Sequence, residues 1–520
     1  MRPLALVTAV ISVVSTAVAA TESNLTKPLS SQNLLSTFVP PQVFKNANLV
    51  RAIHLEKSYA KESINVVIEN IDSKPQDEYY IPFTPIQMEK IGGLEVRDRK
   101  DAELGLFKAQ PVEFDAASET QLYKVTLPRP LQPKSQQTLS ISYSYLSSLS
   151  PLPANIAQND QQFLVYDFSA YWPSAYLTVK QKTDVKFPGN NVPEYTIIPS
   201  SGSTPESPQK AGSKFTYGPF GEVPAGASET VRVRYEFTHP LIYVSKLERD
   251  IEVSHWGGNV AFEERYTLHN KAANLSSPFS RVTWASQQYY SPPTTAIKDL
   301  RFPLKVGSLT PYFTDVIGNV STSRFRSNRR EANLELKPRY PIFGGWNYPF
   351  RVGWDADIKN FLRRPSSGDR FVLKVPFLEG PKPSEGVAYE HVDVRVILPE
   401  GATYVVPGAP FSSAALVPAT NTVPPSNVDF YTATPVTSTS ISTHKTFMDT
   451  LGRTVLTLTA RNLVDEMRGS ELYVTYDYPF AASLRKPLAI FGLVMALFAA
   501  AYTVGKLDVQ ITGARFAKTT

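Results

Sequence analysis

Cysteine is absent from this chain. That excludes cysteine nucleophiles, thiol redox chemistry and cysteine-bound zinc. Disulfides cannot support the fold, so stability rests on a hydrophobic core, which 520 residues can supply. Histidine is scarce. The six are His54, His239, His255, His269, His391 and His444, and none stands in metal-ligand spacing with another. His255 and His269 are nearest but fall on separate expected strands, so they read as surface or hydrogen-bonded structural histidines. There is no Gly-x-Ser-x-Gly elbow, no His-Glu-x-x-His pair and no phosphate-binding glycine loop. Carboxylates are plentiful, which leaves a glycosidase-like pair open. The adjacent pairs Glu263-Glu264 and Asp465-Glu466 would point to opposite faces of a strand, and they read as surface charges. No catalytic, cofactor-binding or metal site is assigned. Concentrated positive charge is also missing. A net charge of +6 is small for the length and argues against a nucleic-acid partner. The densest basic cluster, Arg324, Arg326, Arg329 and Arg330, reads as a solvated hairpin.

Uncharged apolar runs are confined to the two ends. Met1-Arg2-Pro3 precedes an apolar stretch from Leu4 to Val14, then small residues up to Ala20, with Ala17-Val18-Ala19 as a small-x-small site. Residues 1–20 are therefore expected to be a cleaved signal peptide. The second run, PLAIFGLVMALFAAAYTVG at 487–505, would form a helix of about 28 Å, close to the ~30 Å of a hydrocarbon core. It is apolar all round, unlike a half-buried helix. Arg485, Lys486 and Lys506 flank it and can snorkel to headgroups. The order of the two segments implies a single-pass type I protein with residues 21–486 in the lumen and a short cytosolic tail, 506–520. Gly492, Ala496, Ala499 and Ala500 form a small-residue face that would pack on a neighbouring membrane helix.

Between the ends, 43 prolines disfavour long helices, and period-2 alternation recurs. Leu139, Ile141, Tyr143 and Tyr145 alternate with serines. Val231, Val233, Tyr235 and Phe237 alternate with charges, as do Leu472, Val474, Tyr476 and Tyr478 with polar residues. Such patterns place one set toward a core and the other toward water. The expected fold is mainly β: two tandem antiparallel sandwich-like lumenal domains, 21–240 and 241–486, plus one C-terminal transmembrane helix. A weak internal repeat supports the pair. The segment from Asn46 resembles that from Lys246, and the segment from Tyr123 resembles that from Val455. Ser200–Lys214 and Val406–Thr443 are Ser/Pro-rich and read as loops. Trp256 with Gly257-Gly258, and Gly344-Gly345-Trp346, read as packed aromatics beside tight bends.

Three Asn-x-Ser/Thr sequons start at Asn24, Asn274 and Asn319. In a lumenal chain they are glycan acceptors on accessible surface, with Asn319 and Asn274 favoured over Asn24.

Several strings together resemble the ribophorin I family. They are VSHWGGNVAFEERYTLHN from Val253, IGNVSTS from Ile317, PRYPIFGGWNYPFRVGW from Pro338, ILPEGA from Ile397 and FMDTLGRTVLTLTARNLVDE from Phe447. The resemblance is strongest from Lys246 onward. It implies a non-catalytic subunit of oligosaccharyltransferase, in the endoplasmic reticulum membrane. That complex moves a preassembled oligosaccharide from dolichyl diphosphate to sequon asparagines of nascent chains. The resemblance also implies the partners: a catalytic multi-pass subunit, other small membrane subunits, the nascent acceptor polypeptide and membrane lipid. It implies no cofactor here, and it places a family glycan acceptor at Asn319. The short tail is similar to the fungal form, which puts direct ribosome contact in doubt. An independent hydrolase on a β scaffold and a surface receptor remain the alternatives, since sandwiches host many functions.

Overall fold

A computed structural model describes residues 27–28, 38–112, 121–199, 208–288, 292–365, 368–402, 429–432, 434–446, 449 and 452–506. The expected signal peptide, the Asn24 sequon and the tail beyond Lys506 lie outside these.

The fold is mainly β, and its alternating segments sit as the pattern requires. Leu139, Ile141, Tyr143 and Tyr145 are buried, as are Val231, Val233, Tyr235 and Phe237, and Leu472, Val474, Tyr476 and Tyr478. The buried apolar residues form two large clusters that divide between Leu241 and Ile242. A small third cluster, Tyr59, Leu146, Ala388 and Val464, lies between them.

Each half is built on a large sheet with a long hairpin at its centre. In the first half the strand order is Gln209–Ala211, Lys214–Phe220, Gln181–Lys186, Phe44–His54, Ala60–Asn70, Gln136–Tyr145, Ile91–Asp98. In the second it is Lys27–Pro28, Ser438–His444, Arg453–Val464, Ala388–Ile397, Ile242–Ser254, Asn259–Asn270, Asn347–Asp357, Ser308–Asp315. Apart from Lys27–Pro28, the two orders match strand for strand in chain sequence. Each hairpin's first strand has a parallel neighbour, Gln181–Lys186 in one half and Ala388–Ile397 in the other. A three-stranded sheet (Gln76–Phe83, Gln121–Leu131, Lys108–Pro111) is mirrored by Leu300–Leu304, Ala332–Leu336 and Arg324–Ser327. The four-stranded sheets correspond in the same way. Both hairpins carry a one-residue bulge, at Ala47 and at Ser245.

This topology confirms the match between the segments from Asn46 and Lys246. It overturns the match between those from Tyr123 and Val455. By strand order, Gln136–Tyr145 corresponds to Asn347–Asp357, not to Glu471–Asp477. Alternation is common to every half-buried strand and does not specify a place in a sheet. Two expected loops are partly strand. Asp429–Thr432 edges a four-stranded sheet, Ser438–His444 pairs with Arg453–Val464, and Gln209–Ala211 pairs with Lys214–Phe220. Thr and Ile at 437–443 suit a strand despite their polar neighbours, and only the two-residue strand Lys27–Pro28 lies outside it. Arg324–Ser327 does form one arm of an exposed hairpin.

The C-terminal helix spans Arg485–Lys506, with Pro487 tolerated in its first turn. It is long and apolar enough to cross a membrane, and none of it is buried. Gly492, Ala496, Ala499 and Ala500 are all exposed on it.

Candidate functional site: ionic centres, seam and membrane junction

Glu264, expected at the surface, lies fully buried opposite Arg249 on the second-half hairpin. Arg249 pairs with Glu264 through Nη1 and with Glu379 through Nη2 at 2.7 Å, and Nη2 also donates to the Pro376 carbonyl. Tyr266 donates to Glu264 at 2.5 Å. The rings of Phe262 and Trp354 lie against the guanidinium. Burial works against the charge on Arg249, but Glu264 and Glu379 outweigh it and raise its pKa. Burial pushes the Glu264 carboxyl up, Glu379 adds to this, and Arg249 opposes it.

The first half has a counterpart. Arg51 binds both oxygens of Glu62, Nε at 2.8 Å and Nη2 at 2.7 Å, and donates to the Ser169 carbonyl. Tyr143 and Tyr166 donate to Glu62 at 2.8 and 3.1 Å. Burial disfavours the Arg51 charge, but Glu62 more than compensates and its pKa rises. A carboxylate in such a network has its lone pairs occupied. Both centres are interior struts.

The seam between the halves draws on the other pair expected at the surface. Asp465 and Glu466 open a short 3-10 helix rather than a strand, and Asp465 is buried. Tyr59 donates to Asp465 at 2.7 Å, and burial, reinforced by that carboxylate, pushes the phenol far above its ordinary pKa. Lys57 reaches Asp465 and Glu466, and Lys61 reaches Glu466 at 2.5 Å. Ser58 donates through its amide to Glu385 and through its hydroxyl to Gly386. Asn462, in the left-handed region at φ 54°, donates to the carbonyls of Glu89 and Ile91. A Cβ on Gly92 would stand 1.8 Å from the Asn462 carbonyl oxygen, so only glycine permits this approach. An open cleft of about 440 Å³ follows the seam, lined by Lys61, Glu95, Tyr431, Glu466, Glu471 and Tyr473 among others.

At the membrane end, Lys486 in the first turn of the apolar helix pairs with Asp449 at 2.6 Å. Burial opposes the Asp449 charge, yet Lys486 and Thr446 hold its carboxyl well below the usual range. His255, in the turn after Ile242–Ser254, meets the Tyr476 hydroxyl at 2.8 Å, and burial pushes its pKa down to about 4. His269 contacts Ser245 at 3.0 Å. Both are hydrogen-bonded structural histidines. Trp256 departs from expectation. It is exposed at the hairpin tip, where Gly258 at φ +67° makes the bend, not packed in a core. Trp346 does pack, against Phe279, Tyr340 and Phe343. Gly344 lies so close to the Ala272 and Ala273 carbonyls that a Cβ would clash.

Asn319 is exposed in the turn after Ser308–Asp315, where Asp315 caps the amides of Ile317 and Gly318. Asn274 is exposed beside a second open cleft formed with Phe279, Gly345 and Trp346. Among the described residues, no group of three or more His, Asp or Glu side chains is placed to hold a metal. The buried centres were missed in the sequence because a charge on a hairpin face looks the same whether that face meets water or a core. The signal within reach was Arg51 or Arg249 standing in register with apolar neighbours.

These features define a class: a two-part β protein, closed by internal ion pairs and carrying, among the described residues, one helix long and apolar enough to cross a membrane. The Ribophorin I family matches residues 44–505, and the chain belongs to that family. A Schizosaccharomyces pombe protein named dolichyl-diphosphooligosaccharide–protein glycosyltransferase subunit 1 is 28% identical over 465 residues, covering 89% of this chain and 95% of that one. Its Caenorhabditis elegans namesake is 29% identical, covering 92% and 75%. Subunit 1B of Oryza sativa is 28% identical, covering 91% and 93%. Among solved structures, leukotriene A4 hydrolase from Saccharomyces cerevisiae overlaps 39% of this chain and 31% of its own at 11% identity and a TM-score of 0.27. That likeness is too slight to carry an argument.

Proposed function

We propose that the chain is a non-catalytic subunit of the oligosaccharyltransferase complex in the endoplasmic reticulum membrane. The observation that carries this reading is the near full-length match to relatives named as subunit 1 of that glycosyltransferase. The closed hydrogen bonding of the buried carboxylates at both ionic centres supports it. The active site then lies in a multi-pass partner, and this subunit contributes assembly and retention or presentation of the nascent acceptor chain. Residues 21–240 and 241–486 are two lumenal domains behind a cleaved signal peptide, 487–505 crosses the bilayer as a type I span, and 506–520 is cytosolic. Asn319 and Asn274, both exposed, carry glycans, with Asn24 a third acceptor. The face of Gly492, Ala496, Ala499 and Ala500 packs on a helix of a neighbouring subunit.

The test is a mild-detergent pull-down of the tagged chain from its own membranes, with glycan transfer to a sequon peptide assayed on the eluate. Recovery of a multi-pass partner with transfer activity, lost when partners are stripped, is the expected result. A monomer without transfer activity overturns the reading. Ala496→Trp or Ala500→Trp should reduce partner recovery, and unchanged recovery would remove the helix-packing role.

A further inference from the structure

The tip of the 242–270 hairpin ends at the foot of the apolar helix. Trp256 is 65% exposed there, yet its indole N–H donates to the Ser483 carbonyl at 2.7 Å. Ser483 ends the short helix Phe480–Ser483, two residues before Arg485 opens the apolar helix. At 1.5 Å rise per residue, that hydrogen bond holds the indole within about one helical turn of the segment's start. The neighbours are also apolar and uncovered. Phe480 is 74% exposed, and Leu484 protrudes beside it. Two of the charges nearby are engaged: Lys486 pairs with Asp449, and Arg453 pairs with Glu252, four residues before Trp256 on the same strand and its turn.

An exposed tryptophan with one polar edge satisfied is costly in water and well matched to the headgroup region, where an apolar ring and an N–H can both be accommodated. A lone helix leaves the body above it free to tilt. A second contact a short distance away removes that freedom.

We propose that the Trp256 hairpin tip is a membrane-interface anchor, with Trp256, Phe480 and Leu484 seated among the headgroups of the phospholipid bilayer that Arg485–Lys506 enters. This rests on the reading of that helix as a membrane span. The anchor and the span together fix the tilt of the second half against the bilayer plane.

The absence of native cysteine makes the test direct. Trp256→Cys, Leu493→Cys and Val316→Cys versions of the full chain carry a nitroxide in phosphatidylcholine nanodiscs. Collision with oxygen is compared with collision with a water-soluble nickel chelate. Leu493 reports the span, and Val316, 81% exposed, reports water. The expected oxygen-to-nickel ratio at position 256 is several-fold above that at 316 and approaches that at 493. A water-like ratio at 256 with a lipid-like ratio at 493 overturns the anchor and leaves the span standing. A water-like ratio at 493 overturns both. Shielding of 256 from both reagents also overturns the anchor, since protein then covers the tip. A second measurement retains the indole. Quenching of tryptophan fluorescence by shallow nitroxide lipid should fall in Trp256→Phe relative to the parent chain, and equal quenching in the two overturns the proposal.

Discussion

The two halves share a strand order but close their ionic centres differently. Arg51 and Arg249 each stand four residues past the bulge of their hairpin. In the first half the carboxylate comes from Glu62, two residues along from Ile64, the residue paired with Arg51. In the second it comes from Glu264, directly opposite Arg249, with Glu379 added from beyond a later strand. The buried asparagine ending each hairpin is, by contrast, constant in role. Asn70 donates to the carbonyls of Lys74 and Leu131 and accepts from the Asp72 amide. Asn270 donates to Thr295 and Ile342 and accepts from the Ala272 amide. In both halves these carbonyls flank the first and last strands of the three-stranded sheet. A side chain that satisfies backbone groups is held in place by the fold itself. A side-chain ion pair can slide along a strand face while its charges stay matched.

That contrast can be broken most sharply at the arginines. Arg249→Met leaves two buried carboxylates facing each other and should cost about 5 kcal/mol, the upper end for removing one partner of a buried pair. Denaturant unfolding of the chain checks this, and adding Glu379→Gln should recover part of the loss. Arg51→Met leaves Glu62 with two tyrosine donors and should cost less, about 3 kcal/mol. Equal losses would mean that the second carboxylate carries no weight. Asn270→Ala should cost about 2–3 kcal/mol, because it strands the buried Thr295 and Ile342 carbonyls. Asn70→Ala should cost less, because the Lys74 and Leu131 carbonyls it serves are only part-buried and water can replace the amide. Equal losses would mean that burial of the carbonyls does not set the difference.

The membrane junction belongs to the second half alone and has its own pH dependence. The folded pKa of Asp449 lies below its unfolded value. Its contribution is present above the ordinary carboxylate range and is lost as pH falls through the folded value. The stability gap between the parent chain and Asp449→Asn should therefore be widest near neutral pH and shrink on acidification. Smallest in effect is Tyr59→Phe at the seam, about 1 kcal/mol for one hydrogen bond to a carboxylate that keeps Lys57. It should also separate the unfolding of the two halves if the seam couples them.

Much of the architecture was legible in the sequence. The alternation at 139–145, 231–237 and 472–478 marked strands and their buried faces, because a two-residue period maps directly onto a two-faced sheet. The run at 487–505 marked the apolar helix, because its length and lack of charge are local properties. The relation between the Asn46 and Lys246 segments was visible for the same reason. Which strands neighbour one another was not, and so the segments from Tyr123 and Val455 looked alike while occupying different sheets. Nor could the sequence distinguish Glu264 and Asp465, buried against Arg249 and Tyr59, from solvated charges. It also could not distinguish Trp256, exposed beside the helix, from a core aromatic. Pattern along a chain fixes which way a side chain points within its own strand. What lies opposite is set by residues as distant as Tyr59 from Asp465, or Trp256 from Ser483, and only the tertiary structure brings them together.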